Sequence, residues 1–238
     1  MIKEALQYLV SLKENKTYDI DGNIYSDNKL FRVDPPKYTK STLTFGSLDA
    51  IVKMVRTEIA EFGEMPLFIH VENHKLVRVF TRTDDEEDRQ FPYVAECNDT
   101  DFREGWRDQQ AAIIELRSRF IPTVDSDYLI SLISRINNDQ GVKTEDNGVS
   151  QTVTAKQGVT LMQTETVKPR LQLVPFRTFR EVEQPQSEFI LRLDENGRIG
   201  LFEADGGIWK LEAKVNIQNY LEEALADEVK AGNVVVMV

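Results

Sequence analysis

Two acidic groups are the first candidates for chemistry in this sequence. The first is an unbroken run of five carboxylates, formed by Asp84, Asp85, Glu86, Glu87 and Asp88. Adjacent carboxylates repel one another, and a metal ion needs ligands that converge from several directions, which a short continuous run rarely supplies. We therefore expect a solvated turn. A surface that binds a protein partner or imitates nucleic-acid phosphates is the alternative, and a metal site is the third interpretation.

The second acidic group lies near the C-terminus and consists of Glu203, Asp205 and Glu212, with Lys214 beside it. Two carboxylates that hold Mg²⁺ and a lysine that assists the attacking water are what a magnesium-dependent nuclease uses. The interval between Asp205 and Glu212 is shorter than that pattern usually shows, and Glu-x-Lys also arises on the exposed face of an ordinary strand. A metal-dependent nuclease is therefore kept as a second alternative, and no catalytic residue is assigned.

Other residues suited to catalysis are few. The sequence holds two histidines, His70 and His74, and one cysteine, Cys97. Histidines four apart on a helix suit zinc, but the surrounding residues alternate as in a β-hairpin, so we expect structural roles. The sequence has neither a nucleophile elbow nor a glycine-rich phosphate loop, and Cys97 is expected to be a buried thiol. We therefore predict no cofactor, no metal and no nucleophilic catalysis.

A third group mixes arginines with aromatic residues in the C-terminal half. The members that we predict to bind a nucleotide-like ligand are Arg170, Phe176, Arg177, Phe179, Arg180 and Arg192. Arginine neutralises phosphates and aromatic rings stack on bases, so this composition suits a nucleotide or a single strand of nucleic acid. Strand alternation also generates core aromatics flanked by surface arginines, and that structural interpretation stays open.

The overall charge limits the choice of partner. The chain has 29 basic and 40 acidic side chains and a net charge of −11. This charge disfavours general binding to duplex nucleic acid unless basic residues gather locally, and it suits a basic protein partner or simple solubility. We see no apolar run long enough for a membrane span, no secretory leader and no cysteine pair for a disulfide. We expect a cytoplasmic protein without a membrane partner.

The periodicity of apolar residues predicts the elements that position these groups. Helices are predicted from Ile2 to Leu12, Ser47 to Phe62, Phe102 to Phe120, Ser126 to Ile136 and Asn216 to Glu228. Hairpins are predicted about Asp21-Gly22 and about Glu72-Asn73-His74. Antiparallel strands are predicted between Val149 and Leu211, with Trp209 continuing the sheet.

Because the strands come in groups rather than in alternation with helices, we predict an α+β fold. We expect an N-terminal helix and hairpin half over residues 1–140, and a C-terminal antiparallel β meander with a helix over residues 141–238. One continuous domain is the alternative. The closing strand Val234–Val238 is expected within the sheet of its own chain, although pairing with a second copy would give a homo-oligomer.

Parts of the sequence resemble a known family. The stretches DNGVSQTVTAKQGV and PFRTFREVEQPQSEFILRL through LFEADGGIWKLEA are similar to the YfdQ-type family of uncharacterised phage and prophage proteins. The resemblance covers mainly residues 110–225 and the helix that begins GSLDAIV. It implies a phage accessory gene, of the kind found beside replication, recombination or host-takeover genes, and it implies no catalytic residue.

The leading hypothesis is a phage-encoded, non-enzymatic accessory or counter-defence protein that acts by binding in the host cell. Its partner would be a host or phage protein, or a nucleotide-like ligand. An accessory factor of phage DNA replication or recombination that binds single strands is the first alternative.

Overall fold

A computed structural model describes residues 3, 17–20, 23–26, 41–59, 66–82, 90–99, 102–135, 143–146, 151–157, 161–194 and 196–238. The chain divides into two units, residues 1–39 and residues 40–238. In the first unit, strands β1 (Thr17–Ile20) and β2 (Asn23–Ser26) pair antiparallel with Ile20 opposite Asn23. This register confirms the hairpin predicted about Asp21-Gly22. Apart from Lys3, the first predicted helix lies outside the described residues.

The first five-stranded sheet of the larger unit joins a central hairpin to parallel outer strands. Its spatial order is β15 (Val234–Met237), β4 (Leu67–Asn73), β5 (Leu76–Phe80), β6 (Tyr93–Glu96) and β3 (Leu43–Phe45). β4 and β5 are antiparallel and turn at His74 and Lys75, which confirms the second predicted hairpin. β15 pairs with β4 in parallel, so the closing strand lies within the sheet of its own chain, as predicted.

Two helices supply the apolar side chains that cover the first sheet. Helix α1 (Leu48–Glu58) begins where Ser47 accepts a hydrogen bond from the backbone N–H of Ala50, which confirms the predicted N-cap. Helix α4 (Trp209–Ala224) contributes residues at helical spacing, and the short helix α5 (Ala226–Lys230) leads into β15. The first core includes Leu48, Ile51, Val55, Ile69, Val71, Val77, Val79, Ile217 and Leu221.

The second five-stranded sheet is antiparallel. Its order is β7 (Gly105–Arg107), β14 (Ile199–Glu203), β13 (Ser187–Leu193), β12 (Arg170–Pro175) and β8 (Phe120–Ile121). Helices α2 (Gln109–Arg119) and α3 (Val124–Arg135) cover one face of it. The second core includes Leu116, Phe120, Leu129, Leu132, Leu171, Leu173, Phe189, Leu191 and Leu201.

A smaller antiparallel sheet precedes β12 in the chain. It consists of β9 (Lys143–Asp146), β10 (Gln151–Gln157) and β11 (Leu161–Val167), with β10 in the middle. The fold is therefore α+β, with the predicted C-terminal antiparallel meander followed by a helix. Both five-stranded sheets take strands from before and after residue 140, so the boundary predicted there does not separate them.

Two predicted elements are wrong in their bounds. The helix predicted from Phe102 begins at Gln109, because Asp108 caps it by accepting from the N–H of Ala111, and Trp106 lies in strand β7 instead. Trp209 begins helix α4 rather than continuing the sheet, because Gly206 and Gly207 adopt positive φ and reverse the chain before it. Trp209, Ala213 and Ile217 then share the buried side of that helix.

No helix among the described residues is both long and apolar enough to cross a membrane.

Candidate ligand-binding site

We call residues 176–186, which join β12 to β13, the connector. The connector follows β12 and precedes β13, both strands of the second sheet, yet Phe179 and Val182 pack in the core of the first sheet. Because the connector inserts into one core while its ends belong to the other sheet, its side chains face both. A site between the two five-stranded sheets would therefore include side chains of the connector.

A single glutamine side chain fixes the path of the connector. The Oε1 atom of Gln184 accepts hydrogen bonds from the backbone N–H groups of Arg177 and Thr178, at 3.0 and 3.2 Å. Its Nε2 atom donates to the carbonyl oxygens of Phe179 and Val182. Gln184 is buried, so these four bonds replace the backbone partners that an irregular segment lacks. The connector is thus a rigid platform for the side chains it carries.

A cavity of about 260 Å³ lies against the connector. Its walls are formed by Asp99, Phe102, Ser118, Arg119, Pro175, Phe176 and Arg180. The lining comes from the segment after β6, the C-terminal end of α2, and the connector with the residue before it. The cavity therefore lies where the two sheets adjoin, and it combines two arginines with an apolar wall.

Two contacts hold the Arg180 guanidinium at the cavity. Its carbon lies 3.9 Å from the ring centre of Phe176, and its Nε atom donates to Asp99 Oδ2 at 2.7 Å. The stack and the ion pair orient a side chain that is still 55% exposed. Within the described part of the chain, its two terminal nitrogens make no further hydrogen bond. They can donate to an oxyanion that enters the cavity.

The adjacent arginine of the connector has the opposite environment. Arg177 is fully buried, and its Nη1 atom donates to Glu203 Oε1 at 2.7 Å while its Nη2 atom donates to Ser187 Oγ. Its guanidinium carbon lies 4.0 Å from the ring centre of Trp209. A buried cation that is matched by a carboxylate, a hydroxyl and an aromatic face is a structural centre, because it has no surface left for a ligand.

The carboxylates of the predicted nuclease group belong to this structural centre. Asp205 Oδ2 accepts from Ser187 Oγ at 2.7 Å, and Glu203 Oε2 accepts from the indole N–H of Trp209 at 3.3 Å. Desolvation acts to raise the pKa of Asp205, but hydrogen bonds from Ser187 and the Gly207 N–H and the charge of Arg177 outweigh it, so the pKa is lowered. Asp205 is therefore held ionised beside Arg177.

Glu212 and Lys214 do not join those carboxylates. They lie on helix α4, not on a strand, and residues two apart on a helix point to different sides. Among the described residues, no three histidine, cysteine or acidic side chains are grouped so that they could hold a metal ion. The ring of His74 packs edge-on against Trp209 at 4.8 Å, which is a packing role.

Cys97 is buried as predicted, close to the connector. Desolvation raises the pKa of its thiol, although Lys75 and Arg180 nearby act in the other direction. A thiol with a raised pKa is a poor nucleophile, so the cysteine contributes packing to the first core.

The six predicted ligand residues therefore occupy three places. Phe176 and Arg180 line the cavity, Arg177 and Phe179 are buried, and Arg170 and Arg192 lie on strands β12 and β13 of the second sheet. The predicted partner-binding residues, Asp84, Asp85, Glu86, Glu87 and Asp88, lie outside the described residues. Sequence reasoning missed the cavity residues Asp99, Ser118 and Arg119, since they come from distant segments that only the fold brings together.

Comparison with known proteins gives no relative for this arrangement: no family model, curated protein or solved structure matches the chain.

Proposed function

We propose that this protein acts by binding, and that the cavity bounded by Phe176 and Arg180 takes a small nucleotide-like ligand. The observation that carries the proposal is the Arg180 guanidinium, which lines the cavity and is fixed by the Phe176 ring and the Asp99 carboxylate, while its terminal nitrogens make no other hydrogen bond among the described residues. A phosphate of the ligand would bind those nitrogens. This arrangement supports the nucleotide-like ligand predicted from the sequence.

The rest of the lining supports a ligand with both an anionic and a ring-shaped part. Arg119 adds a second positive charge, while Pro175 and Phe102 form an apolar wall on which a base can rest. Ser118 offers a hydroxyl that both donates and accepts hydrogen bonds. An inorganic anion alone would leave the apolar wall unused, which favours a nucleotide over phosphate.

The size of the cavity limits the ligand. At about 260 Å³ it lies just below the range of roughly 300–1,000 Å³ that is usual for small-molecule sites. A mononucleotide therefore fits better than a dinucleotide, one end of which would have to remain outside. By holding such a molecule, a phage accessory or counter-defence protein would withdraw it from host enzymes in the cytoplasm, which is the setting that the YfdQ-type resemblance suggests.

Isothermal titration calorimetry tests the proposal with a panel of linear and cyclic purine and pyrimidine mononucleotides. We expect at least one of them to bind the unaltered protein, and Arg180→Ala to weaken that binding about tenfold or more, since a hydrogen bond to a charged group contributes about 1.5–3 kcal/mol. Arg78→Ala is the matched control, because Arg78 is also exposed and paired with a carboxylate, that of Glu72, but lies on the first sheet. Absence of binding across the panel, or equal affinity in Arg180→Ala, contradicts the proposal.

A further inference from the structure

From a second region, independent of the cavity, we infer that the face of the second sheet opposite helices α2 and α3 binds single-stranded nucleic acid. We call it the outer face. It consists of Trp106, Ile190, Arg192, Gly200, Phe202 and Arg170, with Arg198 at its margin. The alternation of each strand sends the neighbouring residues Leu171, Phe189, Leu191, Ile199 and Leu201 into the second core.

Cross-strand register arranges the outer face in two adjacent rows. Trp106 is opposite Gly200, and Gly200 is opposite Arg192. In the next row, Phe202 is opposite Ile190, and Ile190 is opposite Arg170. Each row thus runs from an aromatic ring, on β7 or β14, to an arginine two strands away, on β13 or β12. A bound single strand would cross the β-strands along these rows, with its bases on the rings and its phosphates on the arginines.

A glycine shapes the aromatic end of the outer face. A Cβ atom at Gly200 would lie 2.8 Å from Phe202 Cε2 and 3.1 Å from the ring of Trp106, so a side chain at this position would have to displace a ring. The two rings meet at 77° with their centres 6.0 Å apart. Trp106 nevertheless remains 44% exposed, which is unusual for a tryptophan that contributes to folding alone. Its exposed area is a stacking surface.

One arginine lies beside the rings and two lie at the other ends of the rows. The Arg198 guanidinium lies 5.9 Å from the ring centre of Trp106, and the side chains of Arg170 and Arg198 are 68% and 53% exposed. Arg170 pairs with Glu188 and Arg198 with Asp194, so a phosphate would compete with these two carboxylates for the guanidinium groups. With Arg192 the arginines outnumber the two carboxylates, which is a local condition under which a chain of net charge −11 can meet a polyanion.

The chemistry of the outer face favours single strands over duplexes. Bases in a duplex are stacked on each other and cannot stack on an aromatic side chain of a sheet surface, whereas unpaired bases can. A strand of nucleotides repeats a ring and a phosphate in each unit, as the two rows repeat an aromatic ring and an arginine, and an acidic peptide that used the same groups is an outcome of the test below. The combination is therefore assigned to an unpaired strand.

Two measurements test the inference with a fluorescein-labelled thymidine oligomer of about 20 nucleotides. Fluorescence anisotropy gives the affinity and its salt dependence, and tryptophan quenching reports contact with the ring. The chain has two tryptophans, and Trp209 is buried, so quenching by the oligomer reports Trp106. We expect quenching in the unaltered protein, and about tenfold weaker binding in Trp106→Ala.

Further variants keep the result interpretable. Trp106→Tyr should restore most of the affinity, which a general loss of folding would not do. Arg192→Ala should lower the slope of log affinity against log salt by about 0.7, the change expected for one phosphate contact on a single strand. Ile114→Ala is the control, since Ile114 is an exposed apolar residue of helix α2 on the other side of the sheet.

Three outcomes overturn the inference: no quenching and no anisotropy change, affinity unaffected by Trp106→Ala, or a duplex bound as well as the single strand. If the outer face binds a protein partner instead, the oligomer causes neither quenching nor a change in anisotropy. Mononucleotide binding is titrated on the same protein. Because Trp106 does not line the cavity, failure of the oligomer to bind while a nucleotide still binds at Arg180 separates this inference from the proposed function.

Discussion

The two five-stranded sheets are each covered by two helices, but they differ in the faces that point away from those helices. On the first sheet, Phe68 and Phe80 from neighbouring strands stack on each other at 5.5 Å and 15°, and Phe91 packs against Phe80. On the second, Trp106 and Phe202 meet edge to face beside arginines.

Phe68 and Phe80 lie nearly parallel and cover part of each other, whereas Trp106 and Phe202 are nearly perpendicular. Each face nevertheless keeps one ring 44% exposed, Phe91 on the first and Trp106 on the second. Exposure of an aromatic ring is therefore poor evidence for binding by itself, and the arginines on the outer face carry the distinction.

The largest effect that we predict concerns Arg177, the buried arginine of the connector. Arg177→Ala should destabilise the protein by about 3–5 kcal/mol, because it leaves Glu203 and Asp205 without their buried cation. Urea unfolding followed by circular dichroism measures the change. Arg78→Ala, which removes an exposed pair with Glu72 from the first sheet, should cost less than about 1 kcal/mol. Similar losses in the two variants would show that the buried centre of Arg177 stabilises the fold no more than an exposed ion pair does.

An intermediate effect is predicted on the outer face. Gly200→Ala should destabilise the protein by about 1–3 kcal/mol, since its methyl group would displace the rings of Phe202 and Trp106. The free energy of unfolding and the emission maximum of Trp106 are the measurements. Gly46→Ala is the matched substitution, because a Cβ atom there meets nothing within 4 Å, and it should be neutral or slightly stabilising. If Gly200→Ala behaves like Gly46→Ala, the second sheet does not depend on a close approach of its rings.

The smallest effect depends on pH. Asp205 has a pKa below its ordinary value in the folded protein, so its ionised form stabilises the fold. That contribution is complete above the ordinary aspartate pKa and is lost as the pH falls through the lower, folded value. As the pH is lowered from about 5 to about 2, the thermal unfolding midpoint of Asp205→Asn should therefore fall less than that of the unaltered protein.

The control for that experiment is Asp227→Asn, in the exposed first turn of helix α5. Its midpoint should follow the unaltered protein across the same pH range. If the unfolding midpoints of Asp205→Asn and Asp227→Asn change with pH in the same way, ionised Asp205 does not stabilise the fold.

Local signals predicted most of the fold. The cap at Ser47, the hairpin at residues 72–74 and the strand alternation of β13 each depend on residues close together in the chain, so they were predictable from the sequence. Trp106 was assigned to a helix because its spacing from Phe102 and Ile113 fits one. The spacing of apolar residues reveals neither the cap at Asp108 nor the pairing of Trp106 with Gly200.

The candidate sites were predictable only in composition. Arginines and aromatic residues between 170 and 192 suggested a ligand, but periodicity could not show that Arg177 turns inward while Arg180 turns outward. That difference is set by Gln184, whose four hydrogen bonds direct the connector, and by Asp99, which is distant in sequence. Long-range partners of this kind leave no local pattern.

The parallel pairing of β15 with β4 has a consequence for the order in which the protein assembles. The strands of the second sheet have all been synthesised by residue 203, whereas the first sheet, begun at residue 43, receives its last strand only at residue 237. During translation, one edge of β4 therefore stays unpaired until the residues up to Met237 have emerged from the ribosome. The second sheet can mature first and serve as the scaffold on which the first is completed.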